Sequence, residues 1–126
     1  MSQYTDGPTR TFTASAALAP HLRVKLTSGK TALAGAADID IGTVEGRAYA
    51  DGNLHAVRLR NAPGTRKMVA AGAIAEGADV YAAASGKIDD EGTIIVGTAL
   101  EEATADGDVI EVLPLTVQVT TIEEET

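Results

Sequence analysis

Apolar residues along this chain fall in short β-type runs, and turn residues break them up at regular intervals. The runs are Leu22-Arg23-Val24-Lys25-Leu26, Ile39-Asp40-Ile41, His55-Ala56-Val57-Arg58-Leu59, Asp79-Val80-Tyr81, Thr93-Ile94-Ile95-Val96 and Val109-Ile110-Glu111-Val112-Leu113. Leu115-Thr116-Val117-Gln118-Val119-Thr120 alternates apolar and polar residues, the pattern of a half-buried strand. Ser28-Gly29, Asp51-Gly52, Pro63-Gly64, Glu76-Gly77, Ser85-Gly86, Glu91-Gly92 and Asp106-Gly107 mark turns between them. Turn spacing of about 8–12 residues predicts an all-β fold, a small barrel or sandwich-like domain. The Ala-rich stretch from Val69 to Ala84 has helical composition, but Gly72 and Gly77 interrupt it. It reads as turn and strand with one short helical turn.

The strongest internal signal is a repeat. The segment from Ile41 to Arg58 aligns with the segment from Val96 to Leu113 at a constant offset of 55. Seven of its eighteen positions are identical, including Gly42-Thr43 with Gly97-Thr98 and Asp51-Gly52 with Asp106-Gly107. Upstream, Leu18-Ala19, Val24 and Ser28-Gly29-Lys30 parallel Ile74-Ala75, Val80 and Ser85-Gly86-Lys87 after a one-residue slip. The reading is one strand-and-turn unit used twice, over about 16–59 and 72–113, each copy burying the other's apolar face. The Asp-Gly pairs predict turns in which Gly takes a positive φ. The Gly-Thr pairs predict close backbone approach.

This divides the chain into an extended N-terminal arm over 1–14, a single β domain over 15–115 and a C-terminal strand with an acidic tail over 116–126. The arm lies outside the repeat and carries Phe12, the only Phe of the chain.

Composition constrains the core. One Phe, three Tyr and no Trp leave Ala, Val, Leu and Ile to fill it, in thin interdigitated layers. A single core of that kind in 126 residues is marginal, which favours a homo-oligomer. The absence of Cys rules out disulfides and thiolate metal sites. No apolar run approaches the roughly 18 residues of a membrane-spanning helix. The N-terminus lacks the basic start and apolar stretch of a signal peptide, so cytoplasmic synthesis is expected.

Net charge is −8, unevenly spread. From Ile88 to Thr126 there are eleven acids and no Lys or Arg. Arg58, Arg60, Arg66 and Lys67 put four of the ten basic residues within ten positions. The overall acidity argues against nucleic acid as a partner. The basic cluster suits an inter-subunit contact with the acidic half of a neighbouring copy.

The residues offer no catalytic set. His21 and His55 are not in a metal-ligand spacing. No Ser lies in Gly-x-Ser-x-Gly. Gly29-Lys30-Thr31 has the ending of a P-loop, but Val24 stands where its first Gly belongs. Asp38-x-Asp40-x-Gly42 and Asp106-Gly107-Asp108 match fragments of calcium loops without the closing Glu. Glu101-Glu102 and Glu123-Glu124-Glu125 read as solvated faces. No catalytic, cofactor-binding or metal-binding residue is assigned, and the chain is not expected to be an enzyme.

Thr11-Phe12-Thr13-Ala14, Ala17-Leu18-Ala19, the run from Ala71 to Tyr81, Ser85-Gly86-Lys87, Ile95 to Leu100 and Ala105 to Val112 together resemble the capsid cement, or head-decoration, proteins of tailed bacteriophages. The resemblance covers nearly the whole chain and rests on Gly/Ala turns. It implies a β-rich protein on the outer surface of the mature virion head, clamping adjacent major capsid protein subunits, as a homotrimer or a dimer. It also implies assembly in the host bacterial cytoplasm. The acidic extension Thr116–Thr126 departs from the family pattern.

With that resemblance, the arm becomes the expected capsid-binding element. Thr11-Phe12-Thr13 would add a strand to a capsid sheet edge with Phe12 as anchor, flanked by Tyr4 and Arg10. The competing class, an accessory β-module for ligand or carbohydrate, would usually present an aromatic platform, which this composition does not favour.

Overall fold

The computed structural model describes the backbone of residues 7–120 and the side chains of residues 7–115. Ten strands lie among these residues: β1 (Thr9–Thr13), β2 (Arg23–Thr27), β3 (Lys30–Leu33), β4 (Gly42–Val44), β5 (Leu54–Leu59), β6 (Arg66–Val69), β7 (Asp79–Ala82), β8 (Ile88–Asp89), β9 (Ile94–Ala99) and β10 (Val109–Thr120). A single 3-10 turn, Ala84–Gly86, is the one helical element among them.

Local chemistry fixes the hairpins as expected. Ser28 and Gly29 both take positive φ and leave Thr27 opposite Lys30, a two-residue turn whose twist suits the flanking strands. Gly52 and Gly107 likewise have positive φ. Gly42 and Gly97 sit where a Cβ would overlap the carbonyl of Arg58 or of Leu113, so the Gly-Thr pairs do mark the closest strand approaches.

The ten strands form two five-stranded antiparallel sheets, in the orders β1-β5-β4-β2-β3 and β6-β10-β9-β7-β8. Strand for strand, the second order is the first advanced by five. The minor contacts repeat too. The bridges Ala14–Thr31 and Leu18–Ala48 recur as Ala70–Ile88 and Ile74–Ala103. The ion pair Lys30–Asp51 recurs as Lys87–Asp106. In each unit the parallel bridge draws opposite edges of the sheet together at one end, which curls it.

Two expectations change here. The copies do not bury each other's apolar faces around a single core. Each curls around its own cluster: Phe12, Ala14, Leu18, Val24, Val44, Ala48 and Val57 in the first, and Met68, Ile74, Val80, Ile88, Ile94, Val96, Ile110 and Val112 among others in the second. Curling gives a small sheet an inside, and small side chains suffice to fill it.

The arm is the other correction. Thr9–Thr13 is the first strand of the first sheet, in five-residue register with β5, and Phe12 is buried in that unit's core. Its counterpart is β6, where Met68 takes the place of Phe12. The repeat therefore begins at Thr9, and the first unit needs this segment to complete its sheet.

The strand signals were uneven. Ile39-Asp40-Ile41 is not a strand; pairing starts at Gly42, because Asp40 turns inward to meet Arg23. Leu115–Thr120 does continue as backbone of β10, while the side chains of 116–120 lie outside the described residues. Strands β3, β6 and β8 were not expected. Lys30-Thr31-Ala32-Leu33 follows its turn directly and lacks a β-branched apolar run, and Arg66-Lys67-Met68-Val69 opens on two charges, yet Thr31 in the first and Arg66 and Met68 in the second are buried.

Candidate functional site

A buried arginine ties the two units together. Arg23 on β2 is fully buried, and its guanidinium reaches into the second unit. Nε donates to the Lys87 carbonyl at 3.2 Å and Nη2 to the Ala83 carbonyl at 3.1 Å. Within its own unit Nη2 donates to the Gly35 carbonyl at 2.9 Å and Nη1 to Asp40 Oδ2 at 3.3 Å. Burial lowers the pKa of this guanidinium, and the Asp40 carboxylate opposes that shift. The Gly86 N–H, donating to the Ala34 carbonyl at 2.8 Å, adds a backbone tie across the same junction.

A second structure at the junction is open. His21, Thr43, Glu45 and Arg58 from the first unit face Thr65, Arg66 and Lys67 around a cleft of about 360 Å³. Register explains the gathering. Arg58 on β5 pairs with Thr43 on β4, and Arg66 opens β6 only a short linker later. Arg66 is buried, its Nη2 fixed by the carbonyls of Leu59, Arg60 and Ala62. Arg58 Nη2 is fixed by the Pro63 carbonyl at 2.6 Å. The Nε of both arginines is buried with no hydrogen-bond partner. Burial first, and then the charge of Arg58, lower the pKa of Arg66; Asp40 and Glu45 oppose this.

His21 adds backbone strain to the cleft. Its φ is 73°, a left-handed conformation, and the corresponding residue of the second unit is Gly77 at 86°. The other cleft positions have also diverged. Glu45 and Arg58 correspond to Leu100 and Leu113, both exposed. Where the first unit presents charge, the second exposes Leu100 and Leu113; Val109 and Leu115 are exposed on the same face of β10, with Glu111 between Val109 and Leu113.

Of the expected inter-subunit residues, Arg58, Arg66 and Lys67 converge on the cleft. Arg60 does not; its Nη1 donates to the Asp40 carbonyl at 2.6 Å. Of the expected capsid-binding residues, Phe12 is core and Arg10 lies over its ring at 4.5 Å. Thr11 is exposed, Thr13 is half-buried, and Tyr4 lies outside the described residues. Sequence reasoning did not reach His21, Thr43, Glu45 or Thr65 as a group, because only the sheet register assembles them.

The remaining chemistry-bearing residues have structural work. His55 is buried, with Nε2 2.8 Å from Thr31 Oγ1 and Nδ1 3.2 Å from the Gly46 carbonyl. Asp38 accepts from the Gly35 N–H and from Lys25, in that order of effect, and its carboxyl is held below the usual range. Asp108 Oδ2 takes the Thr104 and Ala105 N–H groups and the Thr104 hydroxyl. Both fragments of calcium loops are thus occupied by the protein itself. Among the described residues no three His, Asp or Glu come together as metal ligands, and no helix is long and apolar enough to cross a membrane.

The duplicated β units expose a cationic cleft on one side of their junction and apolar side chains along β10. The chain belongs to the phage cement protein family, which it matches over residues 4–114. Its role is therefore structural, in the capsid of the virion. The fold is shared with the crystal structure of the head fiber gp8.5 N base in bacteriophage phi29, at 16% sequence identity and a TM-score of 0.73, over 92% of this chain and 98% of that one. No curated protein matches it in sequence.

Proposed function

We propose that this protein cements the outer surface of the mature head by clamping adjacent major capsid protein subunits, and that it does so as a homotrimer. Family membership across almost the whole chain is the observation that carries the reading. The fold shared with a head fiber base supports a place on the head surface. Two units tied through Arg23 offer two different faces in fixed relation, which is what bridging two capsid subunits requires. The exposed apolar side chains Leu100, Val109, Leu113 and Leu115 mark the face assigned to capsid. The exposed Thr11 on β1, with Tyr4 beyond it, is assigned to the same contact.

Mixing the protein with expanded and with unexpanded empty heads tests this. Cosedimentation should saturate at a fixed ratio on expanded heads, with trimeric density in images of the decorated particle. Absence of saturable binding to expanded heads refutes the function. Monomeric density at each site refutes the trimer alone.

A further inference from the structure

The cationic cleft gathers like charges that no ion pair among the described residues neutralises. Three cations line it, Arg58, Arg66 and Lys67, against one acid, Glu45. None of the four ion pairs among the described residues uses any of the three. Like charges held together in a partly desolvated site repel. Carbonyls at the end of β5 and on the linker after it hold Arg66, and the Pro63 carbonyl holds Arg58, so both guanidiniums stay beside one another. Arg66 is only 5% exposed, and its Nε has no partner. A planar guanidinium with unused donors matches a carboxylate, which can accept from two N–H groups at once. The Thr43 hydroxyl and the His21 ring line the same space.

We propose that the cleft receives an acidic side chain from the second unit of another copy of this chain. The inference rests on the homo-oligomeric reading above and names its contact. Charge placement selects the occupant. The chain is acidic and without Lys or Arg from Ile88 to Thr126, while the cleft lies on the first unit and the start of β6. The chain's own acid beside the cleft, Glu111, lies opposite Lys67 in the sheet and is held by the cleft's Thr65, whose Oγ1 donates to its Oε2 at 2.7 Å; no ion pair joins it to the three cations. A contact between the first unit of one copy and the second unit of the next can occur twice in a two-fold dimer or repeat head to tail, and the head-to-tail form closes into a ring when the rotation allows. A trimer is the smallest such ring beyond the dimer.

The test is sedimentation equilibrium of the full chain, with far-UV circular dichroism to check the fold. The double variant Arg58→Gln/Lys67→Gln leaves buried Arg66 in place. It should keep the wild-type spectrum and weaken self-association at least about tenfold. Glu45→Gln removes the competing acid and should strengthen association. Added salt should weaken the wild type and leave the double variant nearly unaffected. Three results would each overturn the proposal: a double variant that associates like the wild type, a wild type that is monomeric at every soluble concentration, or a double variant that still associates but no longer binds heads. The last would assign the cleft to a capsid carboxylate. Head binding by the wild type is scored separately, so failure of the cement function would not be confused with failure of this contact.

Discussion

Removing the Arg23 side chain should uncouple the two units. Arg23→Met keeps the length of the aliphatic stem and deletes the guanidinium. It takes away donors to the carbonyls of Lys87, Ala83, Gly35, Ala34 and Asp38, and removes the guanidinium that pairs with the buried Asp40 carboxylate. Two of those carbonyls belong to the second unit, so the loss falls on the junction. Breaking a fully buried ion pair by removing one partner costs about 3–5 kcal/mol, mostly because the other charge stays buried. A domain of this kind has about 5–15 kcal/mol in total, so the variant gives up a large share.

Urea unfolding followed by circular dichroism reads the effect. With m of about 2 kcal/mol/M, the midpoint should fall by about 2 M. The apparent m should also fall, because each unit keeps its own apolar cluster and the two no longer unfold together. A second variant separates charge from contact. In the second unit Ile95 stands where the first has Asp40. Adding Asp40→Ile to Arg23→Met removes the buried carboxylate as well and should recover part of the loss, to about 1–3 kcal/mol below wild type. A loss under about 1 kcal/mol for the single variant, or a double variant no more stable than the single, refutes the reasoning.

Further outcomes follow from the same geometry. Phe12→Ala should cost about 3–5 kcal/mol, and deleting residues 2–13 should diminish the β signal rather than leave it unchanged, because β1 and its ring complete the first unit. Gly97→Ala must push β9 and β10 apart at the Leu113 carbonyl and should cost about 1–3 kcal/mol in the same urea assay. His55 has its pKa lowered by burial, against the hydrogen bond to Gly46. The unfolded chain therefore takes up a proton near the ordinary pKa of about 6.5 while the folded one does not. Stability should be complete above that pH and fall as pH drops through and below it. His55→Gln should flatten that slope. The depressed carboxyls of Asp38 and Asp108 contribute above the unfolded pKa of about 3.9 and lose their contribution only below it, outside this window.

The duplication was legible because turns keep their identity when strands drift. Asp51-Gly52 and Asp106-Gly107 need a residue at positive φ, and Gly42 and Gly97 need to be without a Cβ, so those positions could not vary freely. The extent of the repeat was also written in the chain. Thr9-Arg10 and Ala14 match Thr65-Arg66 and Ala70 at an offset of 56, the same slip already seen upstream of the ungapped block. That match goes unnoticed when Phe12 is taken for an interface anchor and Arg66 for surface charge. What no inspection of periodicity reaches is the cleft. Its residues are scattered from His21 to Lys67, and only antiparallel register brings Thr43 against Arg58.

Comparing the two copies with each other recovers part of that lost information. Positions that shape the fold agree between them: Gly42 with Gly97, Asp51-Gly52 with Asp106-Gly107, Val24 with Val80, Val57 with Val112. Among the positions that disagree in chemical character, two groups bear on contacts. Arg23 and Asp40 against Asp79 and Ile95 mark the tie between the units, while His21, Glu45 and Arg58 against Gly77, Leu100 and Leu113 mark the cleft and the exposed leucines. A duplicated unit obeys one set of folding constraints twice. Where its copies differ by a full charge or by a left-handed histidine in place of glycine, folding alone cannot be the cause, since the other copy folds without that residue. The differences at the tie join the units, and those at the cleft meet solvent, which is where a partner would bind.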